Sequence, residues 1–184
     1  MLSLELTGKV ALVTGATGDL GRVMVRSLAV CGADVAVHYH NNAEKAEELV
    51  KEIQNIGRKS VAVRADIGGK ESVEEMGRIV VSALGDPDIV VTNAVEQIYP
   101  WHTVLEESVE NYESQFRTCV LQNALLAQTF VPAMRQKNWG RFIGINTECT
   151  MNCNPTQSAY ISGKGGQDRL LRVLAKEVGG DGIT

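Results

Sequence analysis

Five short runs of apolar, mostly β-branched residues alternate with segments of helical periodicity along the whole chain. The runs are largely apolar, without a polar residue at every second position, and they predict strands at residues 10–13, 35–39, 61–65, 89–92 and 141–145. Continuously apolar strands are typical of a parallel sheet that helices cover on both faces. This alternation therefore indicates an α/β architecture.

Between the strands, apolar residues recur every three or four positions, which predicts helices. One helix follows the first strand, and the others are expected at residues 43–56, 72–84, 108–135 and 157–178. This order predicts a doubly wound Rossmann fold with a mainly parallel sheet and three αβα layers. Right-handed crossovers then put the ligand crevice at the carboxyl ends of the strands. The stretch 108–135 is apolar on more than one side, so we expect it to pack against something beyond its own sheet.

Composition excludes several classes of protein. A chain of 184 residues suits one domain, and its formal net charge of −4 argues against a general nucleic-acid binder. It has neither a stretch of about 20 apolar residues nor a basic, apolar leader, so we expect a cytoplasmic protein without a membrane segment. The four cysteines are expected to be reduced thiols. No second Cys or His pair accompanies Cys149 and Cys153, so no metal site is expected.

A glycine-rich turn follows the first strand directly and opens the next helix. Gly15 permits a tight turn, Gly18 lets the backbone approach a pyrophosphate, and Gly21 lets the helix lie close to the strand. The N-terminus of the helix adds N–H groups and a positive dipole. Placed at the start of a βαβ series, this turn predicts a dinucleotide site; the alternative is a tight turn that binds nothing.

Residues 9–21, which read KVALVTGATGDLG, resemble the opening of a short-chain dehydrogenase/reductase. The classical branch of that family normally has glycine where this chain has Asp19. The glycine spacing instead resembles the extended branch, which leaves an epimerase or dehydratase as an alternative, although that branch needs a larger C-terminal substrate region. The resemblance implies a cofactor site built from Gly15, Thr17, Gly18, Asp19, Leu20, Gly21, Tyr39, His40, Asn41, Asp66, Ile67, Asn93 and Ala94. Asn93 has a structural alternative, as a residue that holds the turn.

The end of the second strand bears on the choice of cofactor. A carboxylate about 20 residues past the loop favours NAD, and none is present there. No Arg is present either, but His40, with Asn41 and Asn42, offers hydrogen bonds to a 2′-phosphate. We therefore expect NADP(H) to be favoured over NAD(H). The alternative is that His38 and His40 are merely partly exposed polar residues at a strand end.

Tyr160 and Lys164 are four residues apart and so lie on one helix face. An ammonium near a phenol lowers the phenol pKa from about 10, which suits proton exchange with a carbonyl or alcohol oxygen. Here the resemblance to the family is strongest. It implies that Tyr160 and Lys164 are catalytic and contact the cofactor, and that Thr147 stands where the family has serine. It also assigns Cys119 to the place of an asparagine that anchors a water, for which Asn123, one turn on, partly compensates.

The resemblance implies an oxidoreductase that transfers a hydride between a nicotinamide cofactor and a ketone or secondary alcohol. The 3-oxoacyl-carrier-protein reductase-like members suggest a 3-oxoacyl thioester as substrate. The alternative is a catalytically weakened homologue that binds dinucleotide or acts as an interaction protein. That alternative rests on four departures from the family pattern, at Asp19, Val95, Cys119 and Thr147.

Two further expectations concern assembly and extent. In related proteins the long helix and the Tyr160 helix form a dimer contact, so we expect a homodimer or homotetramer. A Rossmann fold has six strands and five are predicted here. Residues 181–184 fall where family members begin the sixth strand, so residues 1–184 are expected to form one dinucleotide-binding domain that lacks its C-terminal strands.

Overall fold

The five predicted strands form one sheet in the computed structural model, which describes residues 4–184. In chain order they are β1 (Val10–Val13), β2 (Asp34–Tyr39), β3 (Ser60–Arg64), β4 (Ile89–Thr92) and β5 (Arg141–Gly144). They pair in parallel in the order β3-β2-β1-β4-β5, which confirms the predicted sheet. The strand order switches between β1 and β4, and a doubly wound sheet binds its ligand at such a point.

Over residues 4–184, seven α-helices accompany the strands. They are α1 (Asp19–Val30), α2 (Ala43–Asn55), α3 (Lys70–Leu84), α4 (Val109–Gln115), α5 (Gln122–Lys137), α6 (Cys149–Asn152) and α7 (Ser158–Val178). The apolar faces of α1 and α2 pack on one side of the sheet, and those of α3, α5 and the end of α7 pack on the other. The predicted three-layer αβα architecture is therefore confirmed.

Burial on both faces explains why the central strands β1 and β4 are almost entirely apolar. In β1, Ala11 and Val13 belong to the core on one side of the sheet, and Leu12 belongs to the core on the other side. All three residues are fully buried. A polar side chain at any of these positions would lose its water without gaining a partner.

The predicted long helix is not one continuous α-helix. A π-helical segment, Phe116–Leu121, separates α4 from α5. Its carbonyl groups are partly taken by side chains: Asn123 Nδ2 donates to the Cys119 oxygen at 2.6 Å, and the Gln122 amide donates to the Thr118 oxygen. In a π-helix the backbone hydrogen bonds join residues i and i+5, and apolar periodicity alone does not reveal that change from an α-helix.

The last residues of the chain lie beside β5. Ile183 forms a parallel bridge with Gly140, and the Phe142 N–H donates to the Thr184 oxygen at 2.9 Å. Within residues 4–184, no helix is both long enough and apolar enough to cross a membrane.

Candidate active site

An open cavity of about 1100 Å³ lies at the carboxyl ends of the strands. Its walls come from the glycine-rich loop, from the segments that follow β2 to β5, from α4 and the π-helical segment, and from α7. The residues with the strongest sequence signals for chemistry therefore share one cavity, at the position that the doubly wound topology predicts.

The glycine-rich loop is shaped so that two of its positions exclude side chains. Gly15 has φ +62°, and a Cβ added there would lie 2.9 Å from the Ala94 Cα. A Cβ on Gly21 would lie 2.2 Å from the Gly15 oxygen. Gly21 does not line the cavity, so its part is to bring α1 close to the loop. The resulting cradle, open at the N-terminus of α1, fits a pyrophosphate.

Asn93, at the end of β4, holds the loop in place. Its Nδ2 donates to the carbonyl oxygens of Thr14 and Gly15 at 3.0 and 3.2 Å. The Thr14 hydroxyl accepts from the N–H groups of Asn93 and Ala94, each at 3.0 Å. The side-chain amide of Asn93 is thus bonded to backbone, which matches its structural alternative, although the residue also lines the cavity.

Tyr160, Thr147 and Lys164 all line the cavity. Burial raises the pKa of Tyr160, the nearby Thr147 hydroxyl opposes the rise, and the neighbouring thiols of Cys119 and Cys149 add to it. The Tyr160 phenol is therefore protonated at neutral pH.

Lys164 is almost fully buried, with 3% of its surface exposed. Its Nζ donates to the Ile145 oxygen at 2.6 Å and to Gln167 Oε1 at 3.2 Å. Burial lowers the pKa of Lys164, and the nearby Cys119 thiol opposes that change. The ammonium thus has neutral partners, and they hold it at the end of β5.

The expected lowering of the Tyr160 pKa by Lys164 is not found. The Lys164 ammonium makes its hydrogen bonds to a backbone carbonyl and a side-chain amide, and the balance at Tyr160 is set by burial. Spacing of four residues puts two side chains on one helix face, but it does not determine which partner each of them chooses.

Cys119 lies beneath the cavity rather than in its wall. It is fully buried in the π-helical segment, and its Sγ lies 3.8 Å from Gln115 Oε1, as a hydrogen-bond donor. Burial raises its pKa, while Lys164 opposes the rise. Asn123 does not compensate as expected, because its Oδ1 accepts from the Thr92 hydroxyl at 2.7 Å and its amide donates to the Cys119 oxygen.

The structure gathers most of the predicted site residues around this cavity. Those that line it are Gly15, Thr17, Gly18, Asp19, Leu20, His40, Asn41, Asp66, Ile67, Asn93, Ala94, Thr147, Tyr160 and Lys164. Three predicted site residues do not line the cavity: Tyr39, Gly21 and Cys119. Tyr39 packs against the core on the α1 and α2 side of the sheet. Among residues 4–184, no three His, Cys, Asp or Glu side chains are grouped to hold a metal ion.

Several lining residues were missed by sequence reasoning. Glu113, Ser114 and Arg117 reach the cavity from α4 and the π-helical segment, and Arg117 lies 3.6 Å from the Asp66 carboxylate. No local signal marks them, because they join the site only through the packing of the long helix. The alternative in which His38 is a partly exposed residue at a strand end is wrong, because only 1% of its surface is exposed.

Comparisons with known proteins agree with this geometry. The family model described as short chain dehydrogenase matches residues 9–184. The chain is 32% identical to a 3-oxoacyl-[acyl-carrier-protein] reductase of Staphylococcus epidermidis, over 96% of this chain and 71% of that protein. It is 28% identical to a chloroplastic NADPH-dependent aldehyde reductase-like protein of Arabidopsis thaliana, with 98% and 71% covered.

A solved 7α-hydroxysteroid dehydrogenase, in complex with NADH and 7-oxo glycochenodeoxycholic acid, superposes with a TM-score of 0.91. That comparison covers 98% of this chain and 69% of the other, at 28% identity. A family model over nearly the whole chain, together with a relative above 30% identity, settles the family. The chain belongs to the short-chain dehydrogenase/reductase family of NAD(P)-dependent oxidoreductases, which act on ketone and alcohol groups.

Proposed function

We propose that the chain reduces a ketone to a secondary alcohol, with Tyr160 as proton donor and Thr147 as the residue that orients the substrate oxygen. The observation that carries this proposal is that both hydroxyl groups share one cavity with the glycine-rich loop. The raised pKa of Tyr160 supports the reductive direction, because a protonated phenol is a general acid. Oxidation of an alcohol would need the phenolate.

The cradle formed by Gly15, Gly18 and Gly21 fits a dinucleotide, and the nicotinamide of that cofactor supplies the hydride. The Thr147 hydroxyl donates a hydrogen bond to the substrate oxygen. Tyr160 gives its proton to the same oxygen, which completes the alcohol and leaves a phenolate that solvent reprotonates. Lys164, held by Ile145 and Gln167, lines the same cavity and would hold the ribose of the cofactor's nicotinamide half.

The finer choices of substrate and cofactor follow from the relatives and from the end of β2. A 3-oxoacyl thioester is the substrate class suggested by the 32% identical reductase. NADP(H) is the favoured cofactor, because no carboxylate lies at residues 38–43. Parallel assays with a 3-oxoacyl thioester, a simple aryl ketone and a sugar test this choice, and thioester turnover below that of the other two would contradict it.

The decisive experiment compares Tyr160→Phe with Tyr99→Phe. Both changes remove one phenol oxygen, but the Tyr99 side chain is 88% exposed and does not line the cavity. We expect Tyr160→Phe to lose at least about a hundredfold in ketone reduction while still binding NADPH, and Tyr99→Phe to match the parent. If Tyr160→Phe oxidises NADPH in the presence of ketones as fast as the parent protein does, the proposal is overturned.

We also propose that the chain forms a homodimer through α4, α5 and α7. Large apolar side chains remain exposed on α4, on the π-helical segment beside it and on α7, among them Val109, Phe116 and Val173. Light scattering of Val173→Arg, with Val30→Arg as control on the outer face of α1, tests this surface. We expect only Val173→Arg to shift the protein towards a monomer, and a parent protein that is itself monomeric would exclude the dimer.

A further inference from the structure

A cation reaches the end of β2 from the neighbouring strand. Residues 38–43 contain no Lys or Arg, yet Arg64, the last residue of β3, pairs in register with Tyr39. The Arg64 Nε donates to the carbonyl oxygen of His40 at 3.1 Å. The guanidinium therefore lies against the backbone of a residue that lines the cavity, at the edge where β2 ends.

The charge of Arg64 is not neutralised by a carboxylate. Its side chain is exposed, and it forms no salt bridge within the part of the chain that the structure describes. Two other arginines lie near the cavity, and both are paired: Arg22 with Asp19 at 2.8 Å and Arg117 with Asp66 at 3.6 Å. Arg64 is thus the arginine of the three whose charge is available to a bound anion.

The position of Arg64 indicates which anion it meets. The glycine-rich loop takes the pyrophosphate, whereas the end of the second strand lies beside the adenosine ribose in this fold. His40 holds Nε, the residue is exposed, and among the described residues the two terminal nitrogens of the guanidinium have no hydrogen-bond partner. A phosphate monoester accepts two parallel hydrogen bonds from such a fork, and the N-terminus of α2 adds a favourable dipole.

We propose that Arg64, with His40, binds a phosphate monoester on the 2′-position of the adenosine ribose and so makes the cavity selective for a 2′-phosphorylated dinucleotide. This inference rests on the proposed function only in that the cavity holds a dinucleotide. It names a residue on β3 as the source of the selectivity, in a chain whose second strand carries no cation.

Calorimetry with two probes tests the proposal without turnover. Adenosine 2′,5′-bisphosphate carries the 2′-phosphate, and adenosine 5′-monophosphate lacks it. We expect the parent protein to bind the bisphosphate at least about tenfold more tightly, and Arg64→Gln to lose that difference, because charge-assisted hydrogen bonds to an anion are lost. Arg64→Lys should retain part of the preference, and NADH affinity should change less than about twofold in either variant.

Three matched substitutions locate the charge. Arg78→Gln removes an arginine on the outer side of α3, where it pairs with Glu75, and should leave both affinities unchanged. The preference is also expected to survive Arg22→Gln and Arg117→Gln. Survival of the bisphosphate preference in Arg64→Gln, or loss of that preference in one of the other variants alone, would overturn the assignment. Thermal melting followed by circular dichroism establishes that each variant is folded.

The outcomes separate this inference from the proposed function. A protein that shows the Arg64-dependent preference but reduces no ketone supports the phosphate site and contradicts the reductase. A protein that reduces ketones but binds both probes equally supports the reductase and contradicts the phosphate site. Failure of the parent to bind either probe overturns both proposals.

Discussion

The backbone N–H of Gly15 donates a hydrogen bond to Nδ1 of His38 across 3.0 Å. The other ring nitrogen lies 3.1 Å from the Ala65 oxygen and carries the proton, because a carbonyl only accepts. A neutral imidazole therefore ties the glycine-rich loop to the end of β3. Burial lowers the pKa of His38 to about 4, the bond to Ala65 opposes the change, and the charge of His40 adds to it.

This arrangement predicts a loss of stability in mild acid. The unfolded chain takes up a proton at His38 near pH 6.5, whereas the folded chain does so only near pH 4. The free energy of unfolding is thus unaffected above about pH 7 and falls as the pH drops towards 4. The contribution of His38 reaches about 2 kcal/mol at about pH 5, measurable by urea denaturation.

Two substitutions isolate that contribution. His38→Gln keeps one acceptor and one donor in a side chain that does not titrate. It should therefore remove about 2 kcal/mol from the difference in the free energy of unfolding between neutral pH and about pH 5. His40→Gln, at an exposed position, should keep most of the difference, because burial and not the His40 charge is the main cause of the His38 shift. An acid response that is equal in both variants would show that His38 is not the group responsible.

Gly21→Ala is expected to disrupt dinucleotide binding. The added methyl would lie 2.2 Å from the Gly15 oxygen and 2.8 Å from the Ala16 Cα, so the loop or α1 must shift. We expect at least about a tenfold loss of NADPH affinity and a lower melting temperature. Gly165→Ala, on α7 with no atom within 4 Å of the new methyl, should bind normally and gain about 0.5–1 kcal/mol of stability.

Trp101 packs edge-on against the Tyr160 ring, with 6.0 Å between ring centroids and 67° between ring planes. Loss of such a contact costs about 0.5–1.5 kcal/mol, so Trp101→Ala should lower kcat/KM about threefold to tenfold through a looser Tyr160. Trp101→Phe should retain most of the activity. Unchanged kcat/KM in Trp101→Ala would show that the contact does not orient Tyr160.

Fluorescence provides a second measurement for Trp101. The chain has two tryptophans, and Trp139 lies between the cations of Lys9 and Arg141. In a Trp139→Phe protein the emission comes from Trp101 alone. We expect this emission to change when an alcohol product binds. If Tyr160 is needed for that binding, the product leaves the emission of Trp139→Phe/Tyr160→Phe unchanged.

Lys164→Met should separate stability from activity. The Ile145 oxygen keeps a hydrogen bond from Gln167 Nε2 at 2.9 Å, whereas the buried Gln167 Oε1 loses the ammonium as its donor, a cost that the removal of a buried charge opposes. Relief of a buried charge should hold the free energy of unfolding within about 1 kcal/mol of the parent, while ketone reduction falls at least about a hundredfold. Lys176→Met, exposed in the last turn of α7, is the control for both measurements. A large loss of stability in Lys164→Met would make the lysine chiefly structural.

Features that depend on residues close together in the sequence were predictable. The largely apolar runs predicted all five strands to within a residue at each end, because a parallel sheet covered by helices on both faces favours apolar side chains. The glycine-rich turn and the spacing of Tyr160 and Lys164 are equally local, and they led to the cavity. The π-helical segment was not predictable, since backbone hydrogen bonds between residues i and i+5, and not apolar spacing, distinguish it from an α-helix.

Hydrogen-bond partners distant in the chain became known from the folded structure alone. His38 meets Gly15 across 23 residues, Arg64 meets His40 across 24, and Lys164 meets Ile145 across 19. Each choice depends on how strands and helices lie side by side and on how much water reaches the group. Residue order and spacing therefore account for the sheet, the loop and the family, whereas packing and burial set the protonation of Tyr160 and His38 and bring a cation to the end of β2.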